Sequence, residues 1–320
     1  MRTHQIDYVG DHWLPAARAT LKPSTAELYA TIIDAYIAPR IGDVRLQELA
    51  PGHLNRMYAE LLAGGRRNGK SLSPKAVRNV HGVIHRALRD AMRWDLVVRN
   101  VADAADPPRV PHREISAWSG ESLRRFLAAT ADDRLLALWV FVATTGVRRG
   151  EALALRWSDV DLDAARASIA RSLAWVGSEA TFTEPKTTRS RRVVPLAPET
   201  VAAVREHRRR QLEERLAAGP HYDDQGLVFA AEDGAPLSPK NVTKAFGRAV
   251  ERSGLPRLTL HGLRHTWATL ALGAGIPAKV ASEMLRHSST AITLDTYSHV
   301  SEGMTRDAAD TVGALIFGNG

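Results

Sequence analysis

Apolar positions along the chain mostly recur with a helical period, and period-two patterns are confined to one segment. In residues 74–94, Val77, Val80, Ile84, Leu88 and Ala91 fall at three- and four-residue steps, which puts them on one face of a long helix. Ser73-Pro74 starts it, since proline at the first helical position gives up no hydrogen bond. Upstream, one short helix is expected at residues 8–14. Pro23-Ser24-Thr25-Ala26-Glu27 reads as a capping box with Ser24 as N-cap, opening a helix that runs to Ile37 and ends before Pro39. A further helix starts near Pro51 and carries Leu54, Met57, Tyr58 and Leu61, and residues 64–70 form a basic loop.

Pro107, Pro108 and Pro111 mark a linker. The expected layout is a small all-helical domain at residues 1–105, a Pro-rich linker at 106–115 and a second domain at 116–320. A helix begins at Trp118-Ser119-Gly120-Glu121, and the nearly uniform apolar run 135–144 reads as a buried core helix. Residues 160–195 read as strands. Ser168 to Leu173 alternates with period two, and Thr181-Phe182-Thr183 and Arg192-Val193-Val194 flank a basic turn at 185–190. Residues 199–216 form a helix whose charged outer face includes Arg205, Glu206, His207 and Arg208, a solvated surface. Leu227-Val228-Phe229 is a short buried segment, and Ser238-Pro239 opens another helix. Beyond residue 260, two helical segments meet at the Gly273-Ala274-Gly275-Ile276-Pro277 turn. An amphipathic tail helix is expected at 304–317, with Ala308, Val312, Leu315 and Ile316 on one side. The fold class is mainly α with a small β-sheet, α+β.

Composition narrows the partner. Lys and Arg number 43 against 35 Asp and Glu, a formal net charge of +8, which points to a polyanion and to nucleic acid first. There is no cysteine, so disulfides and thiolate metal sites are excluded. The N-terminus has no apolar signal segment and no apolar run is long enough to span a membrane, so a cytoplasmic protein with no membrane partner is expected. No glycine-rich phosphate loop, HExxH or clustered Asp-Glu set is present, so the expected chemistry uses no cofactor and no metal.

The candidate chemistry gathers around residues 261–297. His261-Gly262-Leu263-Arg264-His265 and Arg286-His287 are two histidine-arginine clusters, and Tyr297 follows ten residues after His287. The glycine turn between them can bring both clusters to one surface. Arginine offers a planar fork for phosphate oxygens, histidine moves a proton near neutral pH, and tyrosine can attack as a nucleophile. Together they suggest chemistry on a phosphodiester. Arg148 and Arg149 follow the buried helix at a helix start, where acids are usually preferred, which hints at a bound anion, and Glu151 is spaced to orient Arg148. The residues alone leave Lys186 as either a phosphate contact or an active-site group. Lys75, Arg78, Arg86, Arg89 and Arg93 line the polar side of the 74–94 helix with Asp90 as the one acidic neighbour, which favours a DNA-facing surface.

TGVRRGEALALRWSDVDL, EPKTTRSRRVVPL, HGLRHTWATL, LRHSS and LDTYSHV, in this order, resemble the tyrosine recombinase (phage integrase) family. The resemblance covers nearly the whole chain. It implies a helical core-binding domain followed by a catalytic domain, and it implies a catalytic set of Arg148, Lys186, His261, Arg264, His287 and Tyr297. Arg149 falls in a variable slot, His265 is a structural neighbour and Trp267 belongs to the core. The implied reaction is attack by Tyr297 on a DNA phosphate to give a 3′-phosphotyrosyl link, with no cofactor. The implied partners are double-stranded DNA, a tetramer of this chain on paired DNA sites, and accessory DNA-bending or directionality factors. The resemblance also implies integration or excision of a mobile element. Two departures stand out: Arg286 replaces the family's usual glycine before the second histidine, and the chain begins too close to the core-binding region for an arm-binding domain to precede it. Arg286 is expected to touch a flanking phosphate. The competing readings are a relaxing type IB topoisomerase and a prophage remnant that only binds DNA.

Overall fold

Among the described residues, five helices begin on a proline: Pro23–Ile32, Pro51–Gly64, Pro74–Arg93, Pro198–Ala218 and Pro239–Arg252. Proline's fixed φ suits a first helical turn, where its missing N–H is one of the groups that lack a partner in any case. The computed structural model describes residues 7–65, 69–111, 116–177, 179–183 and 192–286. The chain forms two compact units, Met1–Arg113 and Glu114–Gly320.

The first unit opens with a π-helical turn, Asp7–Trp13, running into α1, Leu14–Arg18. Helix α2, Pro23–Ile32, is capped by Lys22 with no side-chain bond, so Ser24 is not its N-cap. Pro23 already fixes the start, which leaves Ser24 inside the first turn. The helix does not end before Pro39 either. It widens into a π-helical stretch, Ile33–Ile37, and resumes as α3, Ala38–Ile41. There the Ala38 N–H reaches back to the Ile33 carbonyl. Widening the ladder accommodates a proline that has no N–H and would clash in a regular helix. Helices α4, Pro51–Gly64, and α5, Pro74–Arg93, complete the unit. The Ser73 hydroxyl caps α5 by accepting from the Ala76 N–H. The apolar face of α5 is buried as its spacing predicts, from Val77 through Ala91. Tyr8 Oη donates to the Ala87 carbonyl at 2.7 Å, and Trp13 Nε1 donates to Asp90 at 2.8 Å. The acid on the basic side of α5 therefore anchors the N-terminal helix.

In the second unit, α6, Gly120–Ala129, starts at a Ser119 cap. Helix α7, Leu136–Thr145, is buried at almost every position, as its uniform apolarity requires. The short α8, Arg149–Leu153, follows at once. Strands β1, Val160–Asp161, and β2, Arg166–Ile169, come next, then β3, Ser172–Val176, β4, Glu179–Thr183, and β5, Arg192–Pro195. They form two antiparallel sheets, one ordered β1-β2-β5 and one pairing β3 with β4. In register, Ala167 faces Val194 and Leu173 faces Phe182. Ser168 to Leu173 is thus not one strand. The ladder breaks between β2 and β3, where the Arg171 guanidinium is tied to Asp159. The segments on either side of residues 184–191 likewise belong to different sheets, since β4 pairs with β3 and β5 with β2.

Helices α9, Pro198–Ala218, α10, Pro239–Arg252, α11, Leu260–Gly273, and α12, Ala278–Leu285, follow, and α6, α7 and α10 meet in a core of edge-on aromatics, while α11 and α12 share a smaller apolar cluster. Phe246 packs at 5.3 Å on both Phe126 and Trp139. The fold is mainly α with small antiparallel sheets, as the sequence predicts. His207 departs from its expected place on the solvated face of α9. It is 2% exposed, and its Nε2 donates to the Val228 carbonyl at 2.7 Å, because the short buried segment 227–229 packs beneath that turn.

Candidate active site

The site is built where three helix ends meet. Helix α7 stops at Gly146, a left-handed C-cap with φ of 63°. A side chain there would be strained, and its Cβ would come within 2.6 Å of Leu285 and 3.2 Å of Trp267. The turn delivers Arg148 as the N-cap of α8. Close packing holds that short helix in place, because a Cβ on Gly150 would meet the Leu173 carbonyl at 2.8 Å.

Arg264 lies on α11 and is 2% exposed. A buried guanidinium needs acceptors. Its Nη1 donates to the Gly146 carbonyl at 2.6 Å, and its Nη2 donates to the Leu285 carbonyl. Arg148 is nearly half exposed, and its Nη2 donates to the Arg286 carbonyl at 2.9 Å. Two consecutive carbonyls at the C-terminus of α12 thus hold the two arginines, one each. That helix end carries partial negative charge, which suits cations. The turn after Gly273 makes this possible, with Gly275 at φ 79°.

Glu151 orients Arg148 as its spacing predicts. Its carboxylate accepts from the Arg148 backbone N–H and from Nη1, both at 3.0 Å. The same carboxylate accepts from Arg192 Nη2 at 2.7 Å and from Nη1 at 3.3 Å. Burial raises the Glu151 pKa, but the arginine contacts outweigh this and leave it below the ordinary carboxylate value. From sequence alone Arg192 is one strand position among others, and its bonds to Glu151 appear only in the fold. The available signal was a cation at the start of a strand facing a core, which needs an anion.

His261 sits one turn before Arg264, exposed at the start of α11, with its ring 4.7 Å from the perpendicular ring of His265. Its pKa is pushed down, first by partial desolvation and then by Arg264, Arg148 and Arg149. Trp267 packs in a small cluster with Leu272 and Leu285 and donates to the Thr144 carbonyl at 2.8 Å. Arg149 points away, donating to Thr243 Oγ1 at 2.6 Å.

The structure therefore brings Arg148, Arg264 and His261 together. Lys186, His287, Tyr297 and the expected tail helix lie outside the described residues. Arg286 ends α12 in the left-handed conformation, with φ of 51° and ψ of 55°.

Residues 119–304 match the phage integrase family, and residues 8–62 match the phage integrase N-terminal SAM-like domain. The first match alone spans more than half of the chain. The chain belongs to the phage integrase family. Among the relatives of this integrase-family chain, a "Tyrosine recombinase XerC-like" protein of Caldanaerobacter subterraneus subsp. tengcongensis is 28% identical over 95% of this chain and 81% of the relative. An "Integrase" of Streptomyces ambofaciens is 29% identical over 91% of this chain and 75% of its own length. The fold matches the Tn1549 transposon integrase in complex with transposon right end DNA, with a TM-score of 0.78 at 21% identity over 96% of this chain and 100% of that one. It also matches a lambda integrase dimer bound to a COC′ core site, with a TM-score of 0.68 at 18% identity over 91% of this chain and 97% of that one.

The first unit carries the basic helix face. Lys75, Arg78 and Arg89 are exposed on α5. Arg86 is half-buried with its guanidinium 5.9 Å from the Tyr29 ring, so packing accounts for part of its position. No helix among the described residues is long and apolar enough to cross a membrane, and among them no cluster of three or more His, Asp or Glu residues is placed to hold a metal.

Proposed function

We propose that this chain is a site-specific DNA recombinase that cleaves and rejoins double-stranded DNA through a 3′-phosphotyrosyl intermediate, in the integration or excision of a mobile element. The observation that carries the reading is the joint anchoring of Arg148 and Arg264 on the end of α12, one turn from His261. Two oriented guanidinium groups match the non-bridging oxygens of one phosphate and stabilise the charge of a pentavalent transition state.

In this reading Tyr297 Oη attacks the scissile phosphorus and the bond to the 5′-oxygen breaks. Lys186 gives its proton to that departing oxygen. His261 takes the tyrosine proton, since its lowered pKa keeps the ring neutral near pH 7. His287 donates a hydrogen bond to the phosphate. A 5′-hydroxyl from another strand then attacks the phosphotyrosine, and the tyrosine leaves with its proton restored. The phosphodiester bond energy is kept throughout, so no cofactor is required.

Residues 1–105 act as the core-binding domain, 106–115 as the linker and 116–320 as the catalytic domain. Lys75, Arg78, Arg86 and Arg89 face DNA from the first domain, and Arg286 touches a phosphate beside the scissile one. Lambda integrase, which shares this fold, forms a tetramer bound to a Holliday junction, and that supports assembly of this chain as a tetramer on paired sites. Accessory DNA-bending or directionality factors are further partners, and the reaction takes place in the cytoplasm.

The test is covalent trapping on a nicked suicide substrate taken from the flanks of the encoding locus. The wild type should form a protein–DNA adduct, and Tyr297→Phe should bind the same DNA and form none. An adduct from the Phe variant would assign the attack to another residue.

A further inference from the structure

Glu151 is shared. Both of its carboxylate oxygens accept from two arginines, Arg148 on one side and Arg192 on the other. Exposure differs across this trio: the side chains of Arg192 and Glu151 are 12% and 13% exposed, while that of Arg148 is 45% exposed. The inner two therefore form a buried pair, and the outer arginine faces the site. Arg192 is also fixed by its strand, since it pairs with Ile169 across β2 and β5.

We infer that Arg192 is a positioning residue for DNA cleavage, acting through Glu151 on the phosphate-binding arginine Arg148. The inference rests on the assignment of Arg148 to the scissile phosphate.

Orientation and charge both point there. A carboxylate bonded to Arg148 alone can turn with it, because both side chains have free torsions. Two bonds from Arg192 on a paired strand fix the carboxylate plane, and the carboxylate then fixes the guanidinium of Arg148. Misplacing a catalytic group by about 1 Å can cost roughly a hundredfold in rate. Charge acts in the same direction. Arg148 and Glu151 alone would sum to zero beside a phosphate that must be stabilised. Adding Arg192 makes the trio net positive, so Glu151 orients Arg148 without cancelling its charge. A merely structural ion pair would need neither the shared carboxylate nor the gradient in exposure.

The experiment measures half-site binding and single-turnover cleavage of a suicide substrate by the full chain carrying Arg192→Met, Arg192→Lys, Glu151→Gln, Arg192→Met with Glu151→Gln, or Arg148→Ala. Arg192→Met should bind half-sites like the wild type and cleave about tenfold to a hundredfold more slowly at saturating protein. Arg192→Lys keeps the charge and should recover part of that loss. The double variant should cleave no more slowly than Arg192→Met alone, because removing the Glu151 charge returns the positive charge to Arg148. The inference is overturned if Arg192→Met cleaves at the wild-type rate while Arg148→Ala is inactive. It is also overturned if the losses at Arg192 and Glu151 multiply in the double variant, or if binding and cleavage fall together. Should Arg192→Met not fold, Arg192→Lys decides: wild-type cleavage with a lysine in place of the fork sinks the inference, and slowed cleavage at unchanged binding upholds it. Normal cleavage by Arg148→Ala would overturn both this inference and the active-site assignment beneath it.

Discussion

Arg148 donates through Nη2 to the backbone carbonyl of Arg286 at 2.9 Å, and that carbonyl belongs to a residue in the left-handed conformation. The position of Arg148 therefore depends on a helix cap that is uncomfortable for its own side chain. A non-glycine residue in this region costs on the order of 1–2 kcal/mol.

Arg286→Gly should relieve that strain and raise the melting temperature, while the Arg148 contact survives because it uses the backbone. If the Arg286 side chain also touches a flanking phosphate, the same change should weaken half-site binding and lower its salt slope by about one unit. Cleavage at saturating protein should stay near the wild-type rate. A faster cleavage rate with an unchanged salt slope would show instead that this arginine crowds the site.

The two arginines should respond differently to lysine. Both substitutions keep the charge and lose the planar fork, so both should slow cleavage by an amount equivalent to about 2.7–4 kcal/mol of transition-state stabilisation. Arg264→Lys should also destabilise the fold, since one ammonium cannot reach both the Gly146 and Leu285 carbonyls and a buried acceptor left unpaired costs about 1–3 kcal/mol. Arg148→Lys, at a nearly half-exposed side chain, should leave stability close to the wild type. Denaturant unfolding read beside cleavage separates the two, and equal unfolding midpoints would count against the anchoring role of Arg264.

Local signals carried much of this site. The buried run that became α7, the glycine after it and the spacing from Arg148 to Glu151 all act within a few residues, so the sequence exposes them. The His261–Arg264 spacing is likewise set by one helical turn. What the chain does not expose is tertiary. Arg192 meets Glu151 only because β5 pairs with β2, and although the glycine turn that folds α12 back is legible, the use of the α12 carbonyls to hold Arg264 and Arg148 is not. Ser168 to Leu173 shows the same limit. Alternation fits a single strand, but the ladder breaks at Arg171, which is tied to Asp159, and the two halves lie in different sheets. The apparent capping box at Ser24 failed because Pro23 takes the first helical position ahead of it.

Lys186 calls for a chemical test. If it protonates the departing 5′-oxygen, Lys186→Ala should cleave a normal phosphodiester poorly and recover selectively on a 5′-bridging phosphorothiolate, whose sulfur leaves without a proton. A backbone-contact role predicts equal impairment on both substrates. Running Arg148→Ala in parallel supplies the control: if Arg148 holds the phosphate as proposed, its loss is not repaired by a better leaving group.

Stability should fall in mild acid, with His207 as one source. Its Nε2–H donates to the Val228 carbonyl, which fixes the neutral tautomer, and Nδ1 is buried without a hydrogen-bond partner. Burial lowers its pKa first, partly offset by the bond to Val228, with Arg134 and Arg210 pushing the same way as burial and Glu214 opposing. A histidine whose folded pKa lies below its unfolded value binds fewer protons in the fold than in the unfolded chain across that interval. Its contribution is therefore complete above the unfolded value, about 6.5, and is lost as pH falls from there toward the folded pKa. His207→Gln can still donate toward Val228 but cannot titrate. Urea unfolding at pH 7.5 and at pH 5 should show a smaller acid-induced loss in His207→Gln than in the wild type. The slope should not vanish, because the pKa values of His81 and His261 are lowered as well. An unchanged loss in the variant would mean that His207 becomes protonated without disturbing the packing of α9 on Val228.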